Sequence, residues 1–471
     1  MRRKALFALC ENEVQCSRRE KGVSASRAQR GRRALLAGIK GYYTIGLLGF
    51  QELITEYEGR FTMKKENQTN DIIKEQENIS RSYPTVFIHG LGGWGEEDGM
   101  ETKLRYRYWG FSSGERDLLA HLKNEGYEVF NPSLGPFTSA WDRACELWAY
   151  LFGGKVDFGK YHSETYGHLR YGRTYPGVLK DLGRPGPHEM INLIGHSFGG
   201  PTAILFVDLL WNGSEKERAC TPEDQLSPLF VGGKAFINCL ITLSGANNGT
   251  TFADFFGEKG IKALAGVIYT ANALAAPTPL MRLLDFHTDQ WGIMSRSKYY
   301  PYGMPSLKNR LNGVQRLLNQ RLDNVGYELQ VEYAAEINKG LRPCPSTYYY
   351  AFRCCRTHSD GNGHQVPDRD MRRILKLWST VIGRYQPNKL APYGFDESWL
   401  PSDGIVNVKC LGAPFSLPCL KYDPAVPTKP GVWYEMPVED KHHMSWVGIG
   451  EDEKALFSFF DDLYDSFLNN K

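Results

Sequence analysis

Gly195-His196-Ser197-Phe198-Gly199-Gly200 follows the apolar run Met190-Ile191-Asn192-Leu193-Ile194 and precedes Pro201-Thr202-Ala203-Ile204-Leu205-Phe206-Val207-Asp208-Leu209-Leu210. The order reads as strand, sharp turn, helix, with a serine at the apex. Glycines two residues to either side of Ser197 let strand and helix approach without a Cβ clash, and the turn presents the hydroxyl outward. The helix that begins just beyond points its N-terminal N–H groups and positive dipole end at developing negative charge. A G-x-S-x-G match alone is weak; the flanking strand and helix give it meaning.

The strands around this unit set the fold class. Pro84-Thr85-Val86-Phe87-Ile88-His89-Gly90 is an apolar run ending in glycine, as a buried parallel strand should be. It runs into the glycine-dense Leu91-Gly92-Gly93-Trp94-Gly95. Ser112 or Ser113 is then expected to cap a helix through Leu118-Leu119-Ala120-His121-Leu122, closed by Gly126, before the strand Tyr127-Glu128-Val129-Phe130. Ala235 to Leu243 reads as a further buried strand. Strand alternating with helix predicts an α/β protein with a mostly parallel, doubly wound sheet. Residues 252–280 are apolar and alanine-rich, with Phe255, Phe256, Ile261, Leu264, Ile268 and Leu274 at helical period. The pattern suits either a core helix or a lid with an oversized apolar face.

At 471 residues with 42% hydrophobic and 23% charged content, the chain has an ordinary globular composition and can bury a large core. A net charge of +3 points to no nucleic-acid partner, and composition specifies no oligomeric state. Ten cysteines form no C-x-x-C pair. Cys344 with Cys354 or Cys355, and Cys410 with Cys419, are candidate local bridges, with free thiols the alternative. Residues 1–80 differ from the rest: up to Arg33 they carry ten Lys and Arg against three Glu, and an apolar run from Ala34 to Phe50 is interrupted by Lys40. This reads as an N-terminal extension: a displaced export signal, a poorly ordered extension, or a mis-set start with Met63 as the true first residue. The run is too short and broken for a transmembrane helix.

A serine hydroxyl needs an imidazole to take its proton and an acid to hold that imidazole in the right tautomer. In doubly wound hydrolases the partners follow in the order Ser, then Asp or Glu, then His. Asp403 stands in the turn Pro401-Ser402-Asp403-Gly404-Ile405-Val406-Asn407, where its other role would be turn capping. His442 and His443 follow the strand-like Val432-Trp433-Tyr434-Glu435-Met436, and adjacent side chains diverge, so at most one should face Ser197. For the oxyanion, the N–H of Phe198, directly after the serine, and that of Leu91, after the first strand, are the candidate donors.

The chain resembles the bacterial lipases of the Geobacillus and Staphylococcus type, from about Tyr83 to near its end. The resemblance is carried by His89-Gly90-Leu91-Gly92-Gly93-Trp94-Gly95, Arg107-Tyr108-Trp109-Gly110, Trp141-Asp142-Arg143-Ala144-Cys145-Glu146, Gly172-Arg173-Thr174-Tyr175-Pro176-Gly177, Gly195 to Gly200, Leu226-Ser227-Pro228-Leu229-Phe230, Asp289-Gln290-Trp291-Gly292 and Asp403-Gly404-Ile405-Val406, all in the family's order. It implies an α/β-hydrolase fold over residues 81–471, with Ser197, Asp403 and His443 as triad and Leu91 and Phe198 as oxyanion donors. The family usually has Phe and Gln at those last two positions. Because the donors are main-chain groups, the changes should alter pocket shape more than mechanism.

The resemblance further implies a lid at 252–280 and a structural zinc, in an insertion, held by Asp142, His162, His168 and Asp323. It does not carry over a calcium site cleanly. Two family carboxylates fall on Ser445 and Gly450 here, leaving Asp370, Glu451 and Asp452 as the residues that would have to rebuild one. The implied activity is hydrolysis of carboxylic esters, acylglycerols at a lipid–water interface above all; the resemblance favours a secreted enzyme, with a cytoplasmic location the alternative. A soluble short-chain carboxylesterase and a non-catalytic binding module on the same fold are the alternatives.

Overall fold

The structure, a computed structural model, describes residues 82–110, 117–279, 284–293, 304–320 and 323–469. The expected extension at 1–80 and the proposed caps Ser112 and Ser113 lie outside them. Helix Leu118–Asn124 is capped instead by Asp117, whose carboxylate accepts the N–H of Ala120. An acceptor one residue before the first helical position can reach the free amides of the first turn, which a serine four residues earlier cannot.

Among the described residues eleven strands follow in chain order: β1 Thr85–Ile88, β2 Val129–Phe130, β3 Gly154–Asp157, β4 Tyr171–Tyr175, β5 Ile191–His196, β6 Ile237–Leu243, β7 Tyr348–Cys354, β8 Thr357–Ser359, β9 Gln365–Pro367, β10 Cys419–Lys421 and β11 Trp433–Glu439. Seven of them form one sheet in the order β10-β11-β7-β6-β5-β1-β2. Every pairing in it is parallel. The α/β-hydrolase class expected from the sequence is therefore the fold observed.

Strands β1, β5 and β6 are buried along their whole length, which is why they read as unbroken apolar runs. Their side chains alternate between two cores. Val86, Ile88, Leu193 and Leu240 pack with helices Ala140–Phe152 and Gly199–Asn212 on one face. Phe87, Ile194, Cys239 and Ile241 pack with helices Leu118–Asn124 and Glu453–Leu463 on the other. Burying apolar area on both faces stabilises the sheet by about 25 cal/mol per Å² removed from water, and holds the carboxyl ends of its strands as a rigid platform.

Strands β3 and β4 pair antiparallel as a separate ribbon with helix Lys160–Tyr166 between them. This is the insertion expected to carry the metal ligands. The candidate bridges do not form: Cys344, Cys354, Cys355, Cys410 and Cys419 are all free thiols, as are the other three described cysteines. No described helix is long and apolar enough to cross a membrane.

Candidate active site and metal centre

Ser197 lies between the end of β5 and helix Gly199–Asn212, at φ 55°, a left-handed conformation that an L residue adopts at a cost of about 1–2 kcal/mol. Neighbouring glycines make the turn possible. A Cβ on Gly199 would stand 2.2 Å from the Ile88 carbonyl oxygen, and one on Gly195 would stand 2.5 Å from the Gly199 oxygen. Gly90 brings the loop after β1 against the serine itself, since a Cβ there would meet Ser197 Cβ at 2.7 Å. The serine is thus clamped between the ends of β1 and β6, with its N–H donating to the Leu243 carbonyl at 3.1 Å.

Asp403 and His443 are brought together. His443 Nδ1 lies 2.7 Å from Asp403 Oδ2, and both residues are buried. The other carboxylate oxygen accepts the N–H groups of Ile405 at 2.9 Å and Val406 at 2.8 Å, so the turn both presents the acid and fixes its rotation. The Asp403 carbonyl accepts the His443 N–H at 2.8 Å. His442 turns away, its ring 3.4 Å from the Ser445 hydroxyl and beside Gly450. Of the two adjacent histidines, His443 therefore faces the acid. Among the described residues no hydrogen bond joins His443 to Ser197, a link that commonly tightens only when substrate binds.

What ties the base loop to the serine is a buried chain that sequence reasoning did not assign. The Gly90 N–H donates to the Tyr108 hydroxyl at 2.9 Å, Tyr108 Oη lies 2.7 Å from His196 Nδ1, and His196 Nε2 lies 3.0 Å from the His443 carbonyl. Burial, reinforced by His443, pushes His196 down to about 3, so its ring is neutral. A carbonyl can only accept, so Nε2 carries the proton and Nδ1 accepts the tyrosine hydroxyl. One chain thus links the loop after β1, the residue before Ser197 and the backbone of His443.

The two candidate oxyanion donors flank the serine, Phe198 next to it in the chain and Leu91 in the loop after β1. Among the described residues neither the Leu91 nor the Phe198 N–H has an acceptor. Arg143 braces the two loops that carry them. Its guanidinium donates to the His89 carbonyl, to the Gly135 carbonyl at 3.0 Å and to Thr202 Oγ1 at 2.9 Å, and Thr202 donates on to the Phe198 carbonyl at 3.0 Å. Its central carbon sits 5.6 Å from the centre of the Phe198 ring. Burial pushes Arg143 down to about 10, still charged at neutral pH. Tyr108 and Arg143 both fall inside motifs that mark the resemblance, which was the one available signal; their roles depend on contacts 18 to 88 residues away that no local pattern encodes.

The four expected metal ligands also converge. One ligand atom each from Asp142, His162, His168 and Asp323 lie within 4.8 Å of one another. Asp142 comes from the first turn of helix Ala140–Phe152, His162 from helix Lys160–Tyr166, His168 from just past that helix's left-handed Gly167, and Asp323 from the segment before helix Val325–Glu328. His162 Nε2 and His168 Nε2 are each 3.3 Å from an Asp323 oxygen, and His162 Nε2 is 3.7 Å from Asp142 Oδ1. Tetrahedral ligands at about 2.0–2.1 Å from a shared ion stand about 3.3 Å apart.

These facing atoms are buried without a hydrogen-bond partner: Asp142 Oδ1, both histidine Nε2 atoms and both Asp323 oxygens. Orphaned buried polar atoms normally cost about 1–3 kcal/mol each, and five aimed at one point are what a cation would satisfy. Burial, with Asp323 beside it, pushes the Asp142 carboxyl above its ordinary range, a penalty a divalent ion removes. The outer contacts are in place: Gln290 Nε2 donates to Asp142 Oδ2 at 2.6 Å, and His168 Nδ1 lies 2.8 Å from the Leu169 carbonyl, which leaves Nε2 available to a cation.

Residues 81–470 match the model of the family described as Lipase-like, C-terminal domain. The chain belongs to this family. The lipase of Staphylococcus epidermidis is 29% identical over 394 residues, covering 82% of this chain and 52% of that protein. Lipase 2 of Staphylococcus aureus is 28% identical over 378 residues, covering 78% and 50%. The chain therefore spans about half the length of the curated relatives it matches. Among solved structures, Staphylococcus hyicus lipase superposes with a TM-score of 0.70 at 29% identity, covering 81% of this chain and 94% of that one. EstA from Clostridium botulinum gives 0.66 at 31% identity over 83% and 88%, and lipase 1 from Pelosinus fermentans gives 0.63 at 32% over 83% and 100%.

Within this lipase-like domain, the lid candidate at 252–280 is helix Thr251–Ala275, with Leu280 outside the described residues. It is broken at Gly257, where φ 58° and ψ 178° leave helical space. Ile261, Ala265, Tyr269 and Ala273 are buried, whereas Phe255, Phe256, Leu264, Val267 and Leu274 are exposed. An exclusively core helix would hide that second apolar face. Of the carboxylates considered for calcium, Asp370 pairs with Arg356, and Asp452 caps helix Glu453–Leu463 by accepting the N–H groups of Lys454 and Ala455.

Proposed function

We propose that this protein is a serine lipase that hydrolyses acylglycerols at a lipid–water interface. The observation that carries the reading is a strained serine at φ 55°, next to the free N–H groups of Leu91 and Phe198 and beside a buried His443–Asp403 pair at 2.7 Å. In this reading the Ser197 hydroxyl attacks the ester carbonyl while His443 Nε2 takes its proton, and Asp403 stabilises the imidazolium without being protonated. The Leu91 and Phe198 N–H groups receive the oxyanion, with Arg143 holding both loops in place. His443 then protonates the departing alcohol, and water activated by the same ring releases the fatty acid. The exposed face of helix Thr251–Ala275 favours an interfacial substrate over a small soluble ester. The secretion expected from the family resemblance belongs to the same proposal.

Fatty-acid release from emulsified long-chain triacylglycerol, measured beside a soluble short-chain ester, tests the reading. Turnover on the emulsion is expected. Activity confined to the soluble ester would make the protein a carboxylesterase, and activity on neither would overturn ester hydrolysis.

Two imidazoles and two carboxylates at these spacings suit zinc, and we propose a structural zinc held by Asp142, His162, His168 and Asp323. No step of serine ester hydrolysis needs it. Its ligands pin the β3–β4 insertion to helix Ala140–Phe152, the helix that also bears Arg143. Elemental analysis is expected to find about one zinc per chain. Removing an ion present at about a thousand times its Kd costs about 4 kcal/mol, which should lower the Tm of a domain of this size by about 5 °C. Protein that holds no zinc, or a Tm indifferent to chelation, would reject the assignment.

A further inference from the structure

Helix Arg373–Ile382 is apolar on two sides. Leu375 and Ile382 are buried, and a Cβ on Gly404, next to Asp403, would meet Leu375 Cβ at 3.0 Å, so this side anchors the helix to the acid-bearing turn. The second side carries Ile374, Leu377, Trp378 and Val381 at the spacing i, i+3, i+4, i+7, one stripe along the helix. Ile374 is 53% exposed and Leu377 is 62% exposed. Single exposed apolar residues need no explanation, but this stripe is continuous with another. Trp378 packs on Phe252 with ring centroids 5.3 Å apart, and beyond Phe252 lie Phe255 and Phe256, both exposed.

The flank is basic. Arg372 and Arg373 are exposed and, among the described residues, have no acidic partner. The acids nearest in sequence are engaged elsewhere, Asp370 by Arg356 and Asp368 by His358. An apolar stripe bordered by unpaired arginines is the composition of a helix that lies in a lipid interface and favours negative headgroups.

We propose that helix Arg373–Ile382 is a fixed anchor that docks the domain on an anionic lipid surface, its Ile374–Leu377 stripe entering the apolar layer and Arg372 and Arg373 meeting negative headgroups. This rests on the lipase reading and adds to it. Ester hydrolysis leaves a carboxylate at the interface, so turnover charges the surface in the sense that holds this helix there. Unlike the segment around Gly257, the anchor is packed against the acid-bearing turn and sets the orientation of the domain before any lid movement.

Cosedimentation with ether-linked phosphatidylcholine vesicles, which offer no carboxylic ester, with and without admixed oleate, tests the proposal. The wild-type protein should bind oleate-bearing vesicles more tightly than neutral ones. The double variant Arg372→Gln/Arg373→Gln should lose about thirtyfold in affinity for oleate-bearing vesicles only. Ile374→Ser/Leu377→Ser should bind both vesicle types at least tenfold more weakly. Soluble-ester turnover should stay at the wild-type rate in both variants, which separates this test from that of ester hydrolysis. Equal binding to the two vesicle types, or an arginine variant that binds like wild type, would overturn the proposal.

Discussion

Ser197→Ala is expected to lower kcat on a soluble ester by about 10⁵, with KM changed little. Alanine removes the only group in the proposed mechanism that forms a bond to substrate, yet leaves the pocket and the Leu91 and Phe198 amides intact. Losses of about 10⁶ in kcat accompany removal of the nucleophile in well-studied serine hydrolases, and the residue above water comes from the oxyanion hole and binding. The variant should fold, because alanine meets the same backbone strain at φ 55° that serine does. Ser197→Gly relieves that strain and should raise stability by about 1 kcal/mol while being equally inactive. Stability and activity moving in opposite directions at one residue would mark a strained catalytic position. Wild-type turnover in either variant would remove Ser197 from the mechanism.

Asp403→Asn is expected to cost about 10⁴ in kcat, and the direction follows from the hydrogen bonds at the carboxylate. One oxygen accepts two N–H groups, from Ile405 and Val406, so the carbonyl oxygen of an asparagine must stay there. Its NH₂ then faces His443 Nδ1, which can only accept, and the ring's proton moves to Nε2. A protonated Nε2 cannot take the serine proton. The fold should persist, since the two bonds from the Ile405 and Val406 N–H groups that hold the turn are preserved. Raising pH should not rescue the variant, because a wrong tautomer is not a protonation deficit. A kcat within tenfold of wild type would place the orienting acid elsewhere.

Pattern carried the fold further than it carried the site's supports. Buried parallel strands such as β1, β5 and β6 announce themselves as short apolar runs because both their faces are covered. The serine is legible because a strained turn needs glycines at set offsets, which leaves a local signature around Gly195 and Gly199. Asp403 and His443 could be ordered along the chain, but the residues themselves leave two neighbouring histidines open; the resemblance selects His443, and the His443–Asp403 contact agrees with it. The quartet Asp142, His162, His168 and Asp323 is legible only through resemblance, since its members come from three separate stretches with no short spacing to read. Arg143, Tyr108 and His196 carry no pattern of their own, since their value lies in which distant carbonyl or ring each meets. The helix break at Gly257 was likewise hidden, because an isolated glycine inside an apolar period is compatible with continuous helix.

The all-parallel sheet described above also dictates a timetable. Thr85 of β1 faces Asn192 of β5, and Leu240 of β6 faces Tyr349 of β7, so the centre of the sheet closes only after roughly a hundred residues have intervened each time. A nascent chain leaving the ribosome therefore holds β1 with one edge unpaired until the serine-bearing turn has been synthesised, and a strand edge waiting that long is open to pairing with its neighbours in a polysome. Slow synthesis at low temperature, rather than recovery from aggregates, is the production route this topology favours.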